Sequence, residues 1–197
     1  MLDITVHHWL HSVLPAVADY EAAEAALSEA FGEDKQQPHW EPQAYTAKRR
    51  AAELAIAIDG LADRAALDLN RSKKAIRTAV SAECNWPDGT ARTGCLDRVR
   101  AVAVAYRHKV VDDPTLPISS EQDILVVGLG YGLDGYGVGK FGGVEVLVRE
   151  KNGTSWKFMG DAPIALAGWL RFFAAEGVTP PAPPTVCGIE LPINRIP

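Results

Sequence analysis

The sequence predicts an α+β protein in which an N-terminal antiparallel helical bundle is followed by a small antiparallel β-meander and a closing helix. Three observations carry this. Apolar residues recur at three- and four-residue steps over most of the first 110 positions. The period then changes to short β-branched runs after residue 118. An Asn-Gly pair at 152–153 sits between two of those runs. The expected division is a bundle over 1–117, a glycine-rich meander with its helix packed on the bundle over 118–178, and a proline-rich tail over 179–197.

The first helix is read from Leu2, Val6, Leu10, Val13, Val17 and Tyr20, which share one face and extend the pattern to about Ala30. Pro15 lies inside it and should kink or divide it, because proline removes a backbone donor and crowds the preceding turn. Residues 32–42 are polar and contain Pro38 and Pro42, so they are expected to form a connecting loop. A second helix then follows the seam Leu54, Ile58, Leu61, Ala65 and Leu69, ending near Asn70.

Ser72 is a suitable N-cap for a short basic helix with Ile76 and Val80 as its apolar pair. Leu96, Val99, Ala103, Tyr106 and Val110 mark another helix over 93–111, before Pro114 and Pro117. Strands are expected at 124–127, 144–149 and 156–159, the last two joined by the Asn152-Gly153 turn. Asp161 is expected to cap the closing helix, whose buried stripe is Leu166, Trp169, Leu170 and Phe173.

With 197 residues, 47% of them hydrophobic, the chain can bury a sizeable core. No run reaches the length of a membrane span and the N-terminus lacks a basic leader, so a cytoplasmic protein without membrane contact is expected. The three cysteines, Cys84, Cys95 and Cys187, have no CxxC spacing, which points to thiols rather than to a disulfide framework or a zinc knuckle.

The net charge of −5 argues against a general nucleic-acid coat. Its distribution is uneven. One basic side chain faces eight acidic ones over residues 1–44, thirteen face seven over 45–111, and six face ten over 112–197. The basic middle either binds phosphates or pairs with the acidic first helix inside the bundle.

Glycine occupies positions 128, 130, 132, 135, 137, 139, 142 and 143. A dinucleotide fingerprint would run into a helix, whereas this segment runs into a strand. A phosphate loop fails because Asp134 replaces its first glycine and Phe141 follows Lys140. Two readings stay open: a tight connection between strands, or a loop contacting a ligand or partner through Tyr131, Asp134, Tyr136 and Lys140.

His7 and His11 stand one helical turn apart with Asp3 nearby, but the set lacks a full ligand complement. A surface or interface histidine pair is the expectation. No metal and no cofactor are assigned.

The remaining constellation closes the helix over 93–111: Tyr106, Arg107, His108 and Lys109, then Asp112, Asp113 and Pro114. A helical bundle ending in Arg-polar-x-x-x-His resembles the HEPN superfamily, many of whose members are metal-independent RNA endonucleases of toxin–antitoxin and antiviral defence systems. The resemblance covers roughly residues 1–115. It implies a homodimer whose facing arginines and histidines form the site, with RNA or a cognate antitoxin or other partner protein as binding partners. Arg107 matches the arginine and His108 the polar position, while Asp112 stands where the family has histidine. An aspartate donates and accepts a proton near neutral pH only if its pKa is raised.

Arg107 would then clamp the scissile phosphate and His108 would shuttle the proton. Arg100, seven residues earlier on the same face, with Lys73, Lys74 and Arg77 on the preceding short helix, would extend the phosphate-binding surface. Two other readings accompany this one. Arg107 and Lys109 are also placed to interact with their own helix terminus and with Asp112. The whole chain would equally suit a non-catalytic dimerisation module whose meander presents a partner surface.

Overall fold

The structure is a computed structural model and describes residues 1–34, 37–108, 111–128 and 143–192. It is α+β, as the pattern predicts. The chain begins with α1 (Asp3–His8), a π-helical turn (Trp9–Val13) and α2 (Leu14–Glu33), which form one rod without a break. Pro15 does not divide it. Instead the turn before the proline widens, with the Leu14 N–H donating to the Trp9 carbonyl, so the lost donor is absorbed by a π turn.

α3 runs over Gln37–Leu69 and takes in most of the segment expected to be a loop. Pro38 lies in its first turn, where a backbone donor has no intrahelical partner to lose. Pro42 costs one helical bond. Trp40 is buried edge-on against Phe31 of α2 at 6.1 Å, and this aromatic pair helps fasten the early start of α3. Asn70 ends α3 in the left-handed region at φ 50°.

Ser72 caps α4 (Lys73–Ala82) by accepting the Ala75 N–H at 3.1 Å, and α5 spans Cys95–His108. A 3-10 turn at Glu121–Asp123 leads into β1 (Ile124–Gly128), which pairs antiparallel with β2 (Val144–Arg149). β2 pairs in turn with β3 (Ser155–Lys157), giving a meander in the order β1-β2-β3. Gly153 takes φ 89° in the hairpin, and Asn152 Oδ1 accepts the Thr154 N–H at 2.8 Å.

The final strand is shorter than the pattern suggests. Phe158 and Met159 already belong to α6 (Phe158–Ala175), and Asp161 lies inside that helix, fully buried, instead of capping it. α6 is the central helix: it contacts α3, α4, α5, β2 and β3, and nearly every residue from Phe158 to Phe173 is buried. At Gly168 a side chain would meet Cys84 Sγ at 2.7 Å and the Val80 carbonyl at 3.0 Å, so glycine is what lets α6 press on α4.

One hydrophobic cluster runs from Leu2 through Trp9, Tyr20, Ile58, Val99, Val146, Trp169 and Phe173 to Leu191. The proline-rich tail lies along the body as far as it is described. Pro181 accepts the Trp9 indole N–H at 2.8 Å, and the hairpin β4 (Thr185–Val186) and β5 (Ile189–Glu190) is tied to α2 through Glu21, which accepts the Cys187 N–H at 2.7 Å. All three cysteines are free thiols, with Cys84 and Cys95 buried. No helix among the described residues is long and apolar enough to cross a membrane.

Candidate functional site

Lys74 and Arg77 of α4 and Arg100 of α5 line one open cleft of about 620 Å³. Its walls are Lys74, Arg77, Thr78, Ser81 and Ala82 of α4, Asp97 and Arg100 of α5, and Asp113 and Thr115 of the following loop. α4 presents this wall because Ile76 and Val80 turn its opposite face into the core, which leaves the polar residues at helical spacing facing outward. Lys74, Arg77 and Arg100 thus line one cleft, whereas Arg107 and His108, around which the sequence reading grouped them, are not part of its lining. Lys73 is not part of the wall and pairs instead with Asp63 at 2.8 Å.

Two of the cleft cations are already paired with carboxylates. Arg77 donates to Asp59 Oδ1 at 2.9 Å, and Arg100 donates to Asp113 Oδ2 at 2.9 Å. The Asp113 carboxyl is held below the usual range first by the Thr115 hydroxyl and amide, against an opposing effect of desolvation, with lesser help from Arg100. Lys74 and Asp97 make no hydrogen bond or ion pair among the described residues, and they line the same cleft on facing helices.

Behind the cleft lies a void of about 10 Å³ lined by Asp59, Arg77, Asp97, Arg100 and Trp169 together with Ile58, Ala62, Leu96 and Val99. The Trp169 indole N–H is buried without a hydrogen-bond partner among the described residues.

Arg107, His108 and Asp112 lie beyond this cleft, at the end of α5. The Arg107 side chain remains 39% exposed, yet its guanidinium is engaged by Asp59 Oδ2 and its Nε donates to the Ala103 carbonyl at 3.1 Å. Asp59 on α3, only 8% exposed, therefore holds Arg77 and Arg107 with its two oxygens. His108 and Asp112 are exposed. Tyr131, Asp134, Tyr136 and Lys140 of the glycine-rich segment lie outside the described residues, as does Lys109. The His7 and His11 rings stand 4.4 Å apart, and among the described residues no group of three or more His, Cys, Asp or Glu side chains could hold a metal ion.

A second charged cluster went unread in the sequence. Asp161 Oδ1 accepts from Arg92 Nε at 2.6 Å and Arg98 Nη2 at 2.9 Å, while Oδ2 accepts from Arg98 Nε at 2.7 Å. Arg98 also reaches Glu150 at 3.1 Å, and its guanidinium lies over the Trp156 ring at 4.1 Å. Arg92 stacks between Trp86 and Trp156 at 5.1 and 5.2 Å. Both arginines and Asp161 are buried, so this cluster clamps α5, α6 and the sheet together and offers no open surface to a ligand. Its sequence signal is the placement of Arg98 among the apolar positions of α5, at the spacing of the core-facing residues.

No protein-family model matches the chain, and no curated protein and no solved structure shows a significant similarity to it.

Proposed function

We propose that this chain is a HEPN-like bundle that binds a phosphate-bearing ligand, RNA foremost, in the cleft between α4 and α5, and that it binds without cleaving. The carrying observation is the convergence of Lys74, Arg77 and Arg100 with the hydroxyl residues Thr78, Ser81 and Thr115 on one open surface. Guanidinium, ammonium and hydroxyl donors in one groove are the chemistry that holds phosphate oxygens. The non-catalytic half of the reading is favoured by a carboxylate at position 112 where the resemblance calls for an imidazole, and by the place of Arg107 outside the lining of this cleft.

Binding in a cytoplasmic homodimer, with a cognate protein partner, is part of the same reading. It is supported by Ile4 and Leu67, two exposed apolar side chains on α1 and α3, the helices that the Thr5–Asp68 hydrogen bonds join.

The test is fluorescence anisotropy of a labelled single-stranded RNA titrated with the wild type, Lys74→Ala and Arg77→Ala, at several salt concentrations. Each variant should weaken binding and reduce the salt slope by about one. Unchanged affinity in both variants sinks the cleft. A denaturing gel of RNA incubated with the wild type, Arg107→Ala and His108→Ala tests the second half: RNA that is cut by the wild type and spared by both variants would restore a nuclease.

A further inference from the structure

We infer that the cleft recognises a ribose phosphate unit, with Lys74 and Arg77 on the phosphate and Asp97 accepting a hydrogen bond from the 2′-hydroxyl, so that it discriminates ribose from deoxyribose. This rests on the reading that the cleft binds phosphate, and it adds what the cleft demands of the rest of the ligand.

The argument begins with the charges. A site for phosphate alone would be uniformly basic, because a carboxylate on its wall repels the ligand. Here Asp97 and Asp113 both line the cleft. Asp113 is accounted for, since it binds Arg100 and the Thr115 amide and hydroxyl. Asp97 has no such partner: it lies in the first turn of α5, favourable for a carboxylate, but is exposed and unpaired among the described residues, across from a Lys74 that is equally unpaired. Two free charges of opposite sign in one groove suit a ligand that presents an anion and, beside it, a hydrogen-bond donor.

An ionised carboxylate has acceptors only. A sugar hydroxyl is the donor that accompanies phosphate in a ribose phosphate, and O–H to carboxylate is among the stronger hydrogen bonds. The deoxy ligand has no donor at the 2′ position and would leave Asp97 facing the phosphate uncompensated. That loss separates RNA from DNA at a single contact. The walls also say what is not read. Among the described residues the cleft is lined by charged, hydroxyl and small side chains and by no aromatic ring, which suits contacts to the backbone more than stacking on bases.

The experiment compares four probes on the full chain: an RNA oligonucleotide and the DNA of the same sequence by anisotropy, and ribose 5-phosphate and 2-deoxyribose 5-phosphate by calorimetry. Wild type should prefer the ribo form roughly tenfold, the worth of one charge-assisted hydrogen bond. Asp97→Ala should reduce that preference to under about threefold while leaving the deoxy affinity equal or higher, since it removes a repulsive charge. Circular dichroism establishes that the variant is folded. A preference confined to the sugar phosphates assigns the site to a free ribose phosphate, and one shown by the oligonucleotides assigns it to RNA.

Equal affinity for ribo and deoxy probes in the wild type, together with weakened binding by Lys74→Ala, overturns the ribose inference and leaves phosphate binding standing. An undiminished preference in Asp97→Ala overturns it too. No binding of any probe overturns both.

Discussion

Asp59 on α3 holds Arg107 on α5 through Oδ2 while its other oxygen takes Arg77 of α4 at 2.9 Å. One nearly buried carboxylate thus fixes three helices and sets the charge behind the cleft. Asp59→Asn keeps the shape but removes the charge. Unfolding free energy should fall by about 1.5 to 3 kcal/mol in denaturant titrations, the range for hydrogen bonds to charged groups, with the exposed part of Arg107 placing it toward the lower end. Affinity for the RNA probe should rise, because Arg77 is then free to turn into the cleft. A loss of affinity would show that Asp59 organises the site.

The Arg92–Asp161–Arg98 cluster predicts a larger effect. Asp161→Asn leaves two buried guanidiniums facing a neutral amide, and removing one partner of a buried pair costs about 3 to 5 kcal/mol. Thermal denaturation should show a sharp drop in Tm. A shift no larger than that of a surface variant would contradict the clamp.

At Gly168 the closeness of α6 to α4 is the issue. Gly168→Ala should destabilise by about 1 to 3 kcal/mol despite alanine's better helix propensity, since the added methyl meets Cys84 Sγ at 2.7 Å and the Val80 carbonyl at 3.0 Å. Pairing it with Cys84→Ala removes the nearer obstacle. Chemical denaturation of the double variant should recover part of the loss.

His8 predicts a pH dependence. Burial lowers its pKa, with Arg64 and His7 acting the same way, and these outweigh the hydrogen bond to the Ala57 carbonyl at 2.9 Å. The folded chain therefore binds this proton less readily than the unfolded chain. Stability from His8 is fully present above its unfolded value of about 6.5 and declines as pH falls from there toward the folded value. Tm should fall between pH 7.5 and 5.5, and His8→Gln should flatten that slope.

Much of the helical layout is legible because local chemistry enforces it. Ser72 caps α4, Asn70 closes α3 with a positive φ, and Asn152-Gly153 closes the β2–β3 hairpin, each through bonds made within a few residues. The cleft cations Lys74, Arg77 and Arg100 are also legible, since helical spacing alone puts each on an outward face. Two misreadings share one cause. Pro38 and Pro42 look like loop residues until Trp40 packs on Phe31, and Asp161 looks like a cap until Arg92 and Arg98 reach it.

By itself, then, the sequence determines the α+β class, the basic character of the middle third and the helix faces that carry its charge, because these follow from period, turn chemistry and composition. Tertiary structure alone decides which charges remain available. Arg107, Arg77, Asp59, Arg100 and Asp113 lie on different elements or far apart along the chain, and only packing reveals that they satisfy one another and leave Lys74 and Asp97 facing the same open cleft. The free energy of a charge depends on the partner that folding brings to it, and no local pattern contains that distance.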